Sequence, residues 1–443
     1  MKSPLPPSAG VSPDQGPPLS VVAPFFVMAP FAAAAAGLLL MARGGAPFTS
    51  PWTPDSIALT HLGTLGLLAT CMVGALYQFA PTVAGAPVRP ARLAHAVQVA
   101  LPLGITALVG GLLSGIPPLV ALGGGALALG ATLFVVPTLL ALVRSEVRTD
   151  TSFGLRLSVL AFAILASIGV WLALSRSGHG LPIPGGMPAW RSAHFLLGLL
   201  VWVGGLVSAV AWQVLPMFYT APNADPRLTR ALVLLQGASL LALPTAASAG
   251  RLDLVYLAAA PAGLAVGVGL PTWGIWALRR RKRKRRDFSV QAWLGGLSIA
   301  VLTAVVGLAA ALTAWLPFQV LFAWLAIWGA AGLVMHGMLS RIVPFLVWFH
   351  RMSPLLGRAG VPPMRQLYAQ ATLKRSLVVH AASIAVGAIA ILSGVDLLAR
   401  ITGLLVLTTA VMWGADIVGV LVHPAPEVPS NGPTPYSANT PPH

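Results

Sequence analysis

Apolar blocks and short polar stretches alternate from one end of the chain to the other. No Asp, Glu, Lys or Arg occurs from Leu19 to Met41 or from Val290 to Ser340. A helix needs about 20 such residues to cross a bilayer. The blocks do not alternate residue by residue, and they are too long for barrel strands. Open strands are excluded as well, because hydrocarbon leaves their backbone groups without partners. The pattern therefore predicts about twelve transmembrane helices, near 19–42, 57–80, 93–116, 117–143, 154–175, 190–217, 227–249, 252–278, 288–316, 317–349, 374–395 and 397–422. The fold class is all-α and polytopic.

Composition agrees with this reading. Of 443 residues, 57% are hydrophobic and 8% charged, and the mean hydropathy is +0.84. Soluble domains carry about 25% charged residues, so no soluble-enzyme reading fits. The net charge of +17 suggests a nucleic-acid partner at first sight. However, the basic run Arg279–Arg286 directly follows an apolar helix, as a cytoplasmic topology signal does. Membrane lipids, not nucleic acid, are the expected partner, and an acidic protein is another the loop could dock. The single cysteine, Cys71, allows no disulfide within the chain, and no CxxCH motif is present.

Lys and Arg are unevenly divided between the loops. One set holds Arg89 and Arg92; Arg144, Arg148 and Arg156; Arg227 and Arg230; the 279–286 run; and Arg351, Arg358, Arg365, Lys374 and Arg375. The other holds only Arg43, Arg176, Arg191, Arg251 and Arg400. The positive-inside rule puts the first set, and both termini, in the cytoplasm of a bacterial inner membrane. Residues 1–18 read as a disordered cytoplasmic start without the features of a cleaved signal peptide, and 423–443 as a Pro-rich disordered tail.

A weak repeat runs through the chain. Helix 2 closes with GALYQFAP at Pro81, helix 6 with AVAWQVLP at Pro216 and helix 10 with HGMLSRIVP at Pro344. Three residues before these prolines stand Gln78, Gln213 and Arg341, and the prolines are 135 and 128 residues apart. This spacing predicts three units of four helices, at 19–143, 144–278 and 288–422, with the basic loop 279–287 before the third.

The candidate chemistry lies in histidines on these same helices. His61 is 20 residues before Pro81, about 30 Å along a helix, and so lies near the outer face. His194, 22 residues before Pro216, is its counterpart. At that height helix 10 carries Phe322 and Trp324 instead. His336 lies deeper, in an inner layer whose second member is His380, His350 or His95. Neutral imidazole ligates metals and carries protons, and haem iron takes two axial imidazoles from facing helices. The plainer reading is hydrogen bonding between packed helices. Arg191, three residues before His194, is placed either to hold a haem propionate or to anchor the helix end. Asp416 needs a partner within the membrane, with Arg341 and His336 at similar depth; the result is either a structural ion pair or a proton path.

The segment HLGTLGLLATCMVGALYQFAP, with His61, Gly66, Gly74, Tyr77 and Pro81, resembles the second helix of subunit I in the haem–copper oxidase and nitric oxide reductase superfamily. The three-by-four plan resembles that family too, and His194 to Pro216 is similar to its sixth helix. The resemblance implies a low-spin haem b ligated by His61 and sets His194 close to the histidine of the family's sixth helix, which carries a copper ligand; the depth and spacing of the residues themselves add His194, His336 and Arg191 as haem-site or metal candidates. It also implies a cytochrome c or quinone electron partner, or other respiratory subunits. The family's adjacent histidine pair in helix 7 is missing, as are its two closely spaced outer histidines in helix 10. Copper at an oxidase-type site is therefore not expected, and neither is oxygen reduction. More loosely, the chain resembles NnrS-type haem- and copper-containing membrane proteins. The expected role is electron transfer, sensing or an accessory function in respiration or nitric oxide metabolism. Two rivals are a cofactor-free secondary transporter and a structural or assembly subunit.

Overall fold

The computed structural model describes residues 16–424 except 181, 283, 286 and 356–360, leaving the side chain of 354 aside. The expectations for the first fifteen residues, for part of the basic run and for the tail from 425 lie outside the described residues.

Among the described residues, twelve helices are long and apolar enough to cross a membrane: α1 (Leu19–Arg43), α2 (Pro54–Ala84), α3 (Leu93–Ser114), α4 (Pro117–Arg144), α5 (Asp150–Arg176), α6 (Met187–Tyr219), α7 (Pro226–Ser248), α8 (Leu252–Arg279), α9 (Phe288–Thr313), α10 (Leu316–Met352), α11 (Gln370–Ser393) and α12 (Asp396–Leu421). The chain is a multi-pass helical membrane protein. Local chemistry explains the boundaries. Thr53, Thr149, Asp225 and Asp287 cap α2, α5, α7 and α9 by accepting backbone N–H groups. Proline stands in the first turn of α2, α4, α6, α7 and α10, where its missing N–H costs nothing. The break between α3 and α4 falls at Gly115, whose φ of 67° suits glycine.

Pro81, Pro216 and Pro344 do not end their helices, as the sequence reading had it. Each lies inside a helix that continues to Ala84, Tyr219 or Met352. With one side packed on neighbouring helices, a freed carbonyl does not force the chain to turn.

The packing is a ring of nine helices around three. Contacts run from α1 to α3, α4, α5, α7, α8, α9, α11, α12 and back to α1. The omitted helices, α2, α6 and α10, are the longest and the most buried, and they meet one another in pairs. Each contains a stretch wound more widely than an α-helix, with i→i+5 geometry: Leu62–Ala69 in α2, Leu197–Val203 in α6 and Leu325–Ala331 in α10. These stretches are where the three helices touch. In α2 the Leu65 carbonyl accepts both the backbone N–H of Thr70, five residues on, and the Thr70 hydroxyl at 2.9 Å.

Glycines bring α2 close to its neighbours. A Cβ at Gly66 would lie 2.4 Å from the Ala32 methyl of α1, one at Gly74 2.7 Å from Phe25, and one at Gly63 2.6 Å from an Ile327 methyl of α10. Gly66 and Gly74, which carried the family resemblance, thus have a packing role: they let α2 sit against α1. Small residues allow close approach where no water-driven hydrophobic term favours helix association.

Candidate functional site

Between the central helices lies a cavity of about 860 Å³. Its size falls within the roughly 300–1,000 Å³ typical of sites for bound organic molecules. Most of its wall is aliphatic or aromatic, and α2, α5, α6, α8, α9 and α10 all contribute to it. Leu264, Val305 and Leu308 line it and are also exposed on the outside of the helix ring. The cavity therefore reaches toward the lipid-facing surface between α8 and α9.

His61 and His194 line this cavity and are partly accessible within it. They come from α2 and α6, with ring centroids 6.4 Å apart and ring planes at 24°. His61 Nδ1 lies 2.8 Å from the Ile57 carbonyl. A carbonyl can only accept, so Nδ1 carries the proton and Nε2 keeps its lone pair. His194 Nδ1 is buried with no hydrogen-bond partner among the described residues. The widened stretch of α2 begins directly after His61, and that of α6 three residues after His194. Such insertions often occur at functional sites because they re-aim side chains at small cost.

Arg191 lines the cavity one helical turn from His194. Its guanidinium carbon sits 4.8 Å from the centre of the Trp52 ring, and its buried Nε has no hydrogen-bond partner among the described residues. Arg176, at the end of α5, also lines the cavity. Neither arginine forms an ion pair among the described residues. The cavity thus has two cations at one end and an apolar body. Two further residues shape it, and sequence reasoning did not single them out. Gly169 of α5 leaves room for His194, since a Cβ there would approach the imidazole Cε1 to 2.9 Å. Trp202 lines the cavity, stacks on Phe162 at 4.5 Å and has an indole N–H without a partner.

The other predicted site residues lie elsewhere. His336 does not reach the cavity. Of its three possible companions it meets His380 of α11, Nδ1 to Nδ1, at 3.1 Å. Its Nε2 contacts the Ser376 hydroxyl at 3.1 Å, so both ring nitrogens are engaged. His95 pairs with Gln98, and His350 Nε2 has no partner among the described residues. The expected meeting of Asp416 with Arg341 or His336 is not formed. Arg341 pairs with Asp287 at the start of α9 and reaches Ser289 at 3.1 Å. Asp416 instead accepts the Tyr368 hydroxyl at 2.8 Å. Sequence depth alone could not tell these partners apart, because it carries no rotation about the helix axis.

Among the described residues, no three His, Cys, Asp or Glu side chains converge as a metal site would need. No protein-family model matches the chain, and no curated protein matches it. What fold and site define is a class: a multi-pass helical membrane protein with two facing imidazoles and two arginines on one large apolar cavity.

Proposed function

We propose that this protein binds b-type haem in the cavity, where His61 and His194 would hold the iron and Arg191 and Arg176 would pair with the propionates. The supporting observation is the pairing of the two imidazoles. A metal–imidazole bond is about 2.0–2.1 Å. Adding roughly 1.1 Å from ring nitrogen to ring centre on each side puts the centroids a little over 6 Å apart when one ion lies between them. The observed 6.4 Å matches that value. Two protein donors suffice when the metal brings four in-plane nitrogens of its own, so the donor set fits haem better than a four-coordinate ion.

When bound, the haem supplies a one-electron iron couple in apolar surroundings. The chain's residues do the rest. The Ile57 carbonyl fixes the His61 tautomer, which leaves Nε2 free to ligate. Gly169 keeps space for the His194 ring. The arginines neutralise carboxylates that an apolar cavity would otherwise expel. The two-imidazole site leaves no open metal position, which favours electron transfer or an accessory role in respiration or nitric oxide metabolism over oxygen reduction. The relationship to oxidase subunit I, the threefold organisation and the bacterial inner membrane with cytoplasmic termini belong to the same proposal.

The test is the absorbance of the detergent-purified protein, oxidised and dithionite-reduced, with a pyridine haemochrome assay. Sharp reduced α-bands with near-stoichiometric b-type haem are expected. Colourless protein from a haem-sufficient host overturns the reading and moves the weight to a cofactor-free transporter or an assembly subunit.

A further inference from the structure

We infer that His336 and His380 form a proton-accepting pair that takes up one proton when negative charge enters the cavity. The inference about the cavity's charge rests on the haem reading; the pair's own chemistry does not. Both rings are fully buried, and the hydrogen bonds around them have a fixed direction. His380 Nε2 lies 3.0 Å from the Trp328 carbonyl. That oxygen can only accept, so Nε2 carries the proton and Nδ1 presents a lone pair. His336 Nδ1, 3.1 Å away, must then donate, which leaves its Nε2 to accept from the Ser376 hydroxyl. The neutral chain runs from Ser376 O–H, which also has the Leu373 carbonyl at 3.2 Å as an alternative acceptor, to His336, from His336 Nδ1–H to His380, and from His380 Nε2–H to the Trp328 carbonyl.

One site in this chain is still basic. A proton drawn from solvent adds to His336 Nε2, which then donates to the Ser376 oxygen while the Ser376 hydroxyl turns its own proton to the Leu373 carbonyl, 3.2 Å away. The original Nδ1 proton then lies between two Nδ1 atoms and shifts to either one. The pair thereby holds one extra proton and one positive charge, with no heavy atom moved. Losing the proton from His336 Nε2 restores the starting state.

Uncompensated charge at a fully buried site is costly. Here each ring has an indole against it: His336 lies 4.5 Å from Trp413 at 14°, and His380 lies 4.2 Å from Trp328 at 39°. Indole faces stabilise cations best among the aromatic side chains. Trp328 also lines the cavity, and its own N–H is held by Ser383 at 2.7 Å. One wall of the cavity is therefore the face on which His380 rests. The charged and titratable groups of the surrounding elements are otherwise engaged or turned outward. Arg341 of α10 is paired with Asp287 before α9, Asp416 of α12 is held by Tyr368, and Lys374 and Arg375 of α11 are exposed.

The experiment is proton uptake by the haem-loaded protein on reduction, read with a pH dye in weakly buffered detergent solution. The variants are His336→Gln and His380→Gln, with His423→Ala as control and the haem spectrum as the check on folding. The pair predicts about one proton taken up per reduction in wild type and control, and loss of it in both Gln variants. Uptake that is absent in wild type, or unchanged in variants with normal haem spectra, overturns the inference and leaves the haem reading intact. If the protein binds no haem, the haem reading fails and ¹⁵N-histidine NMR decides for the pair. A coupling between the two Nδ1 atoms that His380→Gln abolishes supports it. Two uncoupled rings overturn it.

Discussion

The two facing histidines differ in how firmly they are held. His61 has its tautomer set by the Ile57 carbonyl, whereas His194 Nδ1 has no hydrogen-bond partner among the described residues. His194 instead owes its position to packing, with Gly169 opposite its ring. Gly169→Val is therefore expected to weaken haem binding roughly tenfold, as loss of a ligand's supporting partner commonly does, while the protein stays folded. Titrating haem into apo-protein and comparing melting midpoints checks both parts. His61→Ala and His194→Ala should each abolish the six-coordinate low-spin spectrum, and added imidazole should restore it by filling the vacated volume. A normal spectrum in either variant would remove that histidine from the ligand set. Another residue-scale prediction concerns Arg341 and Asp287, whose side chains are 19% and 18% exposed. Neutralising one leaves the other largely buried and unpaired. Asp287→Asn and Arg341→Met should each destabilise by more than the double variant implies, with a coupling on the order of 1–3 kcal/mol. A thermal-unfolding cycle in detergent measures it, and additive losses would show that the pair contributes nothing.

Helices were legible in the sequence because the bilayer imposes one demand on every span, about 20 apolar residues in succession. All twelve predicted spans have their counterparts, including the α3–α4 and α9–α10 divisions, where a left-handed Gly115 or Ala314 breaks the run. Helix ends were less legible. The widened stretches of α2, α6 and α10 were not legible at all, because apolar side chains pattern alike in either winding. Histidine depth followed from helical rise, so the outer pair and the His336–His380 layer emerged; the partners of Arg341 and Asp416 depended on rotation and side-chain reach, and did not. Glycine contacts between elements give a sharper test. A Cβ at Gly37 would lie 2.6 Å from the Leu407 backbone nitrogen, and one at Gly403 2.6 Å from the Gly37 carbonyl. Backbone atoms cannot swing away as a flexible side chain can. Gly37→Leu or Gly403→Leu must separate α1 from α12 and should cost at least about 1–3 kcal/mol. A lowered melting midpoint is expected for both, whereas Gly419→Leu, with nothing within 4 Å, should be neutral.

The α1–α12 contact that these glycines permit also closes the ring of nine, so the first and last spans are neighbours although they are the most distant in sequence. Closure surrounds the three central helices with protein and shields their polar side chains from lipid. Orientation follows from parity and charge. The loop holding His179 comes after five crossings and the loop holding Lys284 after eight, so the two lie on opposite faces. The basic loop, with Arg279 to Arg281, Lys282, Lys284 and Arg285, should be cytoplasmic by the positive-inside rule. The protein suits a direct test, because its single cysteine, Cys71, is fully buried and contributes little background labelling. In intact bacterial cells, a membrane-impermeant maleimide should label His179→Cys and spare Lys284→Cys until the membrane is opened. The reverse pattern would invert the molecule. It would place the His61–His194 end of the cavity and its two arginines toward the cytoplasm.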